Sequence, residues 1–188
     1  MEKKQSISTR KIVFAALMAA LTVAGSALRI TLPVDIAGTT SFHLGNIMCA
    51  LSGILLGPWL GGLAAGLGSA IYDMFNPLYI SEAWLTFLMK GAYGLVSGGV
   101  VYMIRKEPNT VISAVAALAG ALTYAVLYLA KSFIKAVWVQ GVAASGALIV
   151  VGEKLPATVF NGAVAVIFAP MLAIAIRAAL KKNHLSLE

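Results

Sequence analysis

The chain has 188 residues, of which 60% are hydrophobic and only 11% charged, with a mean hydropathy of +0.91. An ordinary soluble domain carries about 25% charged residues, so this composition excludes a water-soluble globular protein and specifies an integral membrane one. The formal charge of +7 does not point to nucleic acid, because the basic residues sit at the edges of apolar runs, where they set membrane topology.

Uncharged runs over 12–28, 36–72, 108–130 and 155–176 each approach or exceed the ~20 residues that cross a ~30 Å hydrocarbon core. Lipid offers no partner to an open sheet edge, so the expected class is an all-α integral membrane protein. Residues 1–11, with Lys3, Lys4, Arg10 and Lys11, superficially resemble the start of a signal peptide. The run behind them leads to Arg29 and a proline without a small-residue cleavage site, which makes it a retained first span.

In chain order, span one covers about 12–30 and a polar-mixed loop follows over 31–42. Span two (43–57) ends at Gly57-Pro58, because proline lacks the amide donor and restricts the residue before it. Span three (59–75) closes at Asn76-Pro77, and so tight a connection makes spans two and three an antiparallel hairpin. Span four (83–104) closes at Arg105-Lys106-Glu107-Pro108, span five covers 110–138, and span six covers 156–178. The whole chain, 1–188, forms one transmembrane domain. Six spans put both termini on one side. Lys3, Lys4, Arg10, Lys11, Arg105, Lys106, Arg177, Lys181 and Lys182 gather there, which makes that side cytoplasmic by the positive-inside rule. Reading 43–75 as a single bent segment would give five spans and break this agreement. The 31–42, 76–82 and 140–155 loops then face outward, the last two carrying Glu82, Glu153 and Lys154.

Ala16, Ala20 and Ala24 recur every four residues in span one and form a smooth stripe. Small residues at that spacing admit another helix closely, either a partner subunit or a neighbour within the chain. His43 and Asp73 fall near the outer ends of spans two and three, so the hairpin brings them to one level, and Lys90 reaches a similar depth in span four. A lone charge in a membrane segment costs roughly 2.5–3.5 kcal/mol, which makes Asp73 and Lys90 the natural structural ion pair, with ligand contact by either as the alternative. On span five, Tyr124, Tyr128, Lys131 and Lys135 share one face, with Trp138 above them. Trp84 on span four and Asn161 on span six reach the same depth. Rings and polar groups converging near the outer face suit a flat heteroaromatic solute; the competing reading is an interfacial belt of Trp, Tyr and snorkelling Lys. The candidate substrate-binding set is His43, Asn46, Trp84, Lys90, Tyr128, Lys131, Lys135, Trp138 and Asn161.

Enzymatic signatures are missing. Two histidines, His43 and His184, make no metal cluster, and no P-loop, GxSxG or paired catalytic carboxylates are present. The lone Cys49 is a packing residue. No cofactor, metal or nucleic acid is expected.

The ordered set His43-Leu-Gly-Asn46, Leu56-Gly-Pro58, Gly68-Ser-Ala70 with Asp73 beyond it, and Lys90-Gly91 resembles the substrate-binding S components of energy-coupling factor (ECF) vitamin transporters. It is most similar to the branch that takes up hydroxymethylpyrimidine, pyridoxine-like compounds and queuosine precursors. The resemblance covers residues 10–180. It implies high-affinity capture of a small heteroaromatic micronutrient by this chain in a bacterial or archaeal cell membrane, with the first outer loop as a lid and spans four to six as the pocket. It also implies a transmembrane coupling subunit gripping the span-one alanines, two ATPase subunits that supply the energy, and toppling of the S component within the bilayer to deliver its ligand. The rival readings are a self-sufficient carrier coupled to protons through Asp73 or Glu153, and a non-transporting structural or regulatory membrane protein.

Overall fold

The computed structural model describes residues 8–34, 38–104 and 109–184. Helix α1 (Thr9–Ala27) begins where the Ser8 hydroxyl accepts the Lys11 N–H at 3.4 Å, satisfying a donor that the first turn leaves open. It buries Met18, Thr22, Gly25 and Ser26, while Ala16, Ala20 and Ala24 lie exposed on its other side.

Two strands follow where the sequence suggested a loop. β1 (Arg29–Val34) and β2 (Gly38–His43) pair antiparallel, Arg29 opposite His43 and Leu32 opposite Thr40. Span one, expected to reach residue 30, therefore stops at Ala27. A two-stranded hairpin is marginal by itself, and this one is tied to the bundle. Asn161 accepts the His43 N–H at 2.9 Å and donates to the Ser41 carbonyl at 2.8 Å. Phe42 meets Phe160 edge-to-face at 5.0 Å.

Helix α2 (Gly45–Met74) is two helical arms that meet at Gly57, whose φ of 78° and ψ of −176° are outside the helical range and reverse the chain. Glycine alone adopts that φ readily, and Pro58, with φ preset and no amide to satisfy, starts the second arm. The arms 45–56 and 58–74 lie so close that a Cβ on Gly61 would stand 2.5 Å from the Ser52 carbonyl oxygen. Cys49 and Ser69, twenty positions apart, are within 3.7 Å, which folds α2 into a hairpin. Its first arm is the centre of the molecule: Leu51 and Ile54 are each 1% exposed, and α2 packs against all the other helices.

A 3-10 turn (Ile80–Glu82) leads into α3 (Ala83–Ile104). α4 (Thr110–Ile134) starts at Asn109, whose side chain accepts the Ile112 N–H at 2.9 Å, and ends in a π turn (Lys135–Val139). α5 (Ala144–Lys182) runs for 39 residues through Pro156 and Pro170. The span expected from 156 thus starts twelve residues earlier, and most of the loop expected over 140–155 is helix. Proline at helix interiors is tolerated in such a bundle because neighbouring groups satisfy the freed carbonyls. Among the described residues five helices are long and apolar enough to cross a membrane, the second of them folded in two, and the fold is that of an all-α membrane protein with a small β-hairpin. The basic loop residues Arg105 and Lys106 lie outside the described residues.

Candidate functional site

Between the β-hairpin, the end of α2 and helices α3, α4 and α5 lies a cavity of ≈ 120 Å³. Its construction follows from helical spacing. Tyr124, Tyr128, Lys131 and Lys135 lie three or four residues apart on α4 and so share a face. Tyr124 and Tyr128 stack at 5.6 Å with planes 16° apart, and Tyr93 of α3 continues the stack to Tyr124 at 6.1 Å. Tyr124 and Tyr128 line the cavity as an aromatic wall.

Cations lie against this wall. The Lys90 ammonium is 3.8 Å from the centre of the Tyr124 ring, and those of Lys131 and Lys154 are 5.1 and 5.6 Å from that of Tyr128, within cation–π range. Glu82, at the start of α3, takes both Lys131, at 2.6 Å, and Lys135. At the other end Arg29 lies over the rings of Tyr72 and Tyr79, at 4.0 and 4.9 Å, and its Nε donates to the Ser26 carbonyl at 2.7 Å.

Asp73 and Lys90 both line the cavity, but they do not form the expected ion pair. The ion pairs at this site are those of Glu82 with Lys131 and Lys135. Lys90 instead donates to the Asn46 side-chain oxygen. Equal depth fixed their level, but not their direction around the helix axes.

The β-hairpin roofs the cavity. The Tyr79 hydroxyl lies 3.1 Å from that of Thr39 and 3.0 Å from that of Ser41. Burial raises the Tyr79 phenol, but hydrogen bonds from Ser41 and Thr39 and the charge of Arg29 outweigh it and bring the net shift below the ordinary value. His43 Nδ1 accepts the Gly45 N–H at 3.1 Å. Burial first, then the charges of Lys90 and Arg29, hold its pKa well below the usual histidine range, so the ring stays neutral.

Of the residues expected from sequence, His43, Lys90, Tyr128, Lys131, Lys135 and Asn161 line the cavity. Asn46 stands behind it, 1% exposed, holding Lys90. Trp84 and Trp138 do not line it; they are 64% and 83% exposed on the outer surface of the bundle. Arg29, Tyr79, Glu82 and Lys154 were not anticipated as site residues. Glu82 and Lys154 had been assigned to loops, and a signal for Lys154 existed in its spacing of four from Thr158 and seven from Asn161, which places all three on one helical face.

A partly open polar cavity with an aromatic wall, beneath a hairpin and among apolar helices, is the kind of space in which a membrane protein can hold a small solute. The sequence matches the family model of the ECF-type riboflavin transporter S component over residues 6–178, and the chain belongs to that family. It is also 38% identical over 79 residues to a Pyrococcus woesei protein described as an uncharacterized protein in gap 3'region, an alignment covering 42% of this chain and 50% of that protein. The chain therefore spans about half the length of the curated relative it matches.

Proposed function

We propose that this chain captures a small, water-soluble heteroaromatic vitamin or precursor from outside a prokaryotic cell and delivers it inward as the substrate-specific subunit of an ATP-driven transporter. The observation that carries this reading is the roofed cavity, whose tyrosine wall suits a flat ring. In this reading the two arms of α2 count as separate crossings, giving six, and both termini lie in the cytoplasm under the positive-inside rule. The β-hairpin is the lid. Its ties through Asn161 and Tyr79 are a few hydrogen bonds, each contributing about 1 kcal/mol net, so opening costs little.

The transmembrane coupling subunit docks on the α1 side, where Ala16, Ala20 and Ala24 are exposed, and the two ATPase subunits supply the energy. Riboflavin is the first candidate ligand, since the family carries that name. The test is uptake of labelled riboflavin into proteoliposomes holding the protein with a coupling subunit and ATPases. ATP-dependent accumulation that needs this chain is expected. Accumulation driven by a proton gradient without the ATPases would overturn the reading in favour of a self-sufficient carrier.

A further inference from the structure

The charges around the cavity do not balance. Five cationic side chains line it, Arg29, Lys90, Lys131, Lys135 and Lys154, against two carboxylates, Asp73 and Glu82. The neutral His43 adds nothing. Glu153 also acts on Lys154 but lines no part of the cavity, and counting it still leaves five cations to three carboxylates.

The excess is concentrated beside Tyr128. There Glu82 is shared by Lys131 and Lys135, and Lys154, 6% exposed, lies against the Tyr128 ring and donates to the Ser132 hydroxyl at 3.5 Å without a carboxylate within 4.0 Å among the described residues. Ammonium groups withdrawn from water cost several kcal/mol each unless a counter-charge replaces the lost hydration. A chain that needed only to pin its helices would pair these lysines among its own carboxylates. Here Glu82 is the one cavity carboxylate for three lysines, while Lys131 and Lys154 stand 5.1 and 5.6 Å from the centre of the same Tyr128 ring.

We infer that the ligand is an anion: a flat ring lying along Tyr124 and Tyr128 and bearing a carboxylate or phosphate group that Lys131 and Lys154 bind by charge-assisted hydrogen bonds. This rests on the capture reading above and narrows it, since a neutral flavin would leave the cationic end unmatched. Carboxylate and phosphate share this chemistry, and the experiment separates them.

The thermal midpoint of the purified full-length protein in detergent is followed at constant ionic strength while chloride is exchanged for nicotinate or inorganic phosphate, with the uncharged nicotinamide as control. One of the two anions is expected to raise the midpoint above the chloride and nicotinamide values: nicotinate for a carboxylate site, phosphate for a phosphate site. Lys154→Met and Lys131→Met should each weaken the apparent affinity for that anion by about tenfold or more, the equivalent of ~1.4 kcal/mol. Lys181→Met, an exposed lysine at the far end of α5, should respond as wild type. If Lys154→Met does not fold, Lys154→Gln takes its place. Equal responses to nicotinate and nicotinamide with none to phosphate, or the same rise in the Lys154 and Lys131 variants as in wild type, overturns the anionic ligand. Uptake of neutral riboflavin in the proteoliposome assay would then leave capture standing, whereas an anion response without any ATP-dependent uptake would fail the capture reading alone.

Discussion

At Glu82 one carboxylate holds two ammonium groups, both bonds partly screened by solvent at the cavity rim: the side chains of Lys131, Lys135 and Glu82 are 15%, 41% and 19% exposed. Glu82→Gln strands both lysines, and the expected loss lies between that of an exposed pair and that of a buried one, about 2 kcal/mol. Denaturant unfolding in detergent measures it; a change below about 0.5 kcal/mol would show that the lysines find other partners. His43 gives a pH dependence with a definite sign. Its folded pKa lies below the unfolded value of about 6.5, so its contribution is complete above that pH and is lost as pH falls through it. Between pH 7 and pH 5 stability should drop by up to about 2 kcal/mol, because a protonated ring also loses the lone pair that accepts the Gly45 N–H. His43→Asn, which keeps an acceptor there, should flatten that part of the stability–pH curve. The sequence brought His43, Lys131 and Asn161 together as candidates, and they do line one cavity, because a polar group at membrane depth needs a reason. It misassigned the partner of Lys90 because the azimuth of a side chain depends on helix packing that spacing alone does not encode.

Among the elements, hydropathy located the helices and the Gly57-Pro58 reversal, while the β-hairpin and the start of α5 escaped. The hairpin strands are six residues each, too short for their alternation to stand out from a loop. The α5 start was hidden by Glu153, Lys154 and Pro156, a cluster that reads as a loop until Lys154 is seen turned into the cavity. The reversal itself is testable. Gly57→Ala places a Cβ in open space, so any loss comes from the backbone conformation alone, about 1–3 kcal/mol, measurable as a lower thermal midpoint. On α1, Ala16→Leu and Ala20→Leu fall on an exposed face. Both should leave ligand affinity and folding unchanged while abolishing ATP-dependent uptake in proteoliposomes, because bulk at a close helix contact blocks a partner's approach. Unimpaired uptake in both would remove the alanine stripe from the docking surface.

For the molecule as a whole, the buried first arm of α2 is sheathed on one side by its own second arm, which presents Trp59, Leu63, Leu67, Ile71 and Phe75 outward at four-residue intervals. Sixteen rises of 1.5 Å give that lipid-facing ridge a length of about 24 Å, some 6 Å short of a typical hydrocarbon core. Trp59 and Phe75, 79% and 85% exposed, close its ends with aromatic rings of the kind that prefer the headgroup level. Acyl chains beside this ridge must therefore compress, at a cost of fractions of a kcal/mol per Å of mismatch. Such a ridge predicts a seam of thinned bilayer along one flank and makes lipid chain length a variable that acts on the protein: reconstituted in fourteen-carbon phosphatidylcholine it should unfold at a higher temperature than in eighteen-carbon lipid. A folded-back helix thus makes the surrounding membrane asymmetric, lowering on one side only the resistance that lipid offers to tilting of the bundle.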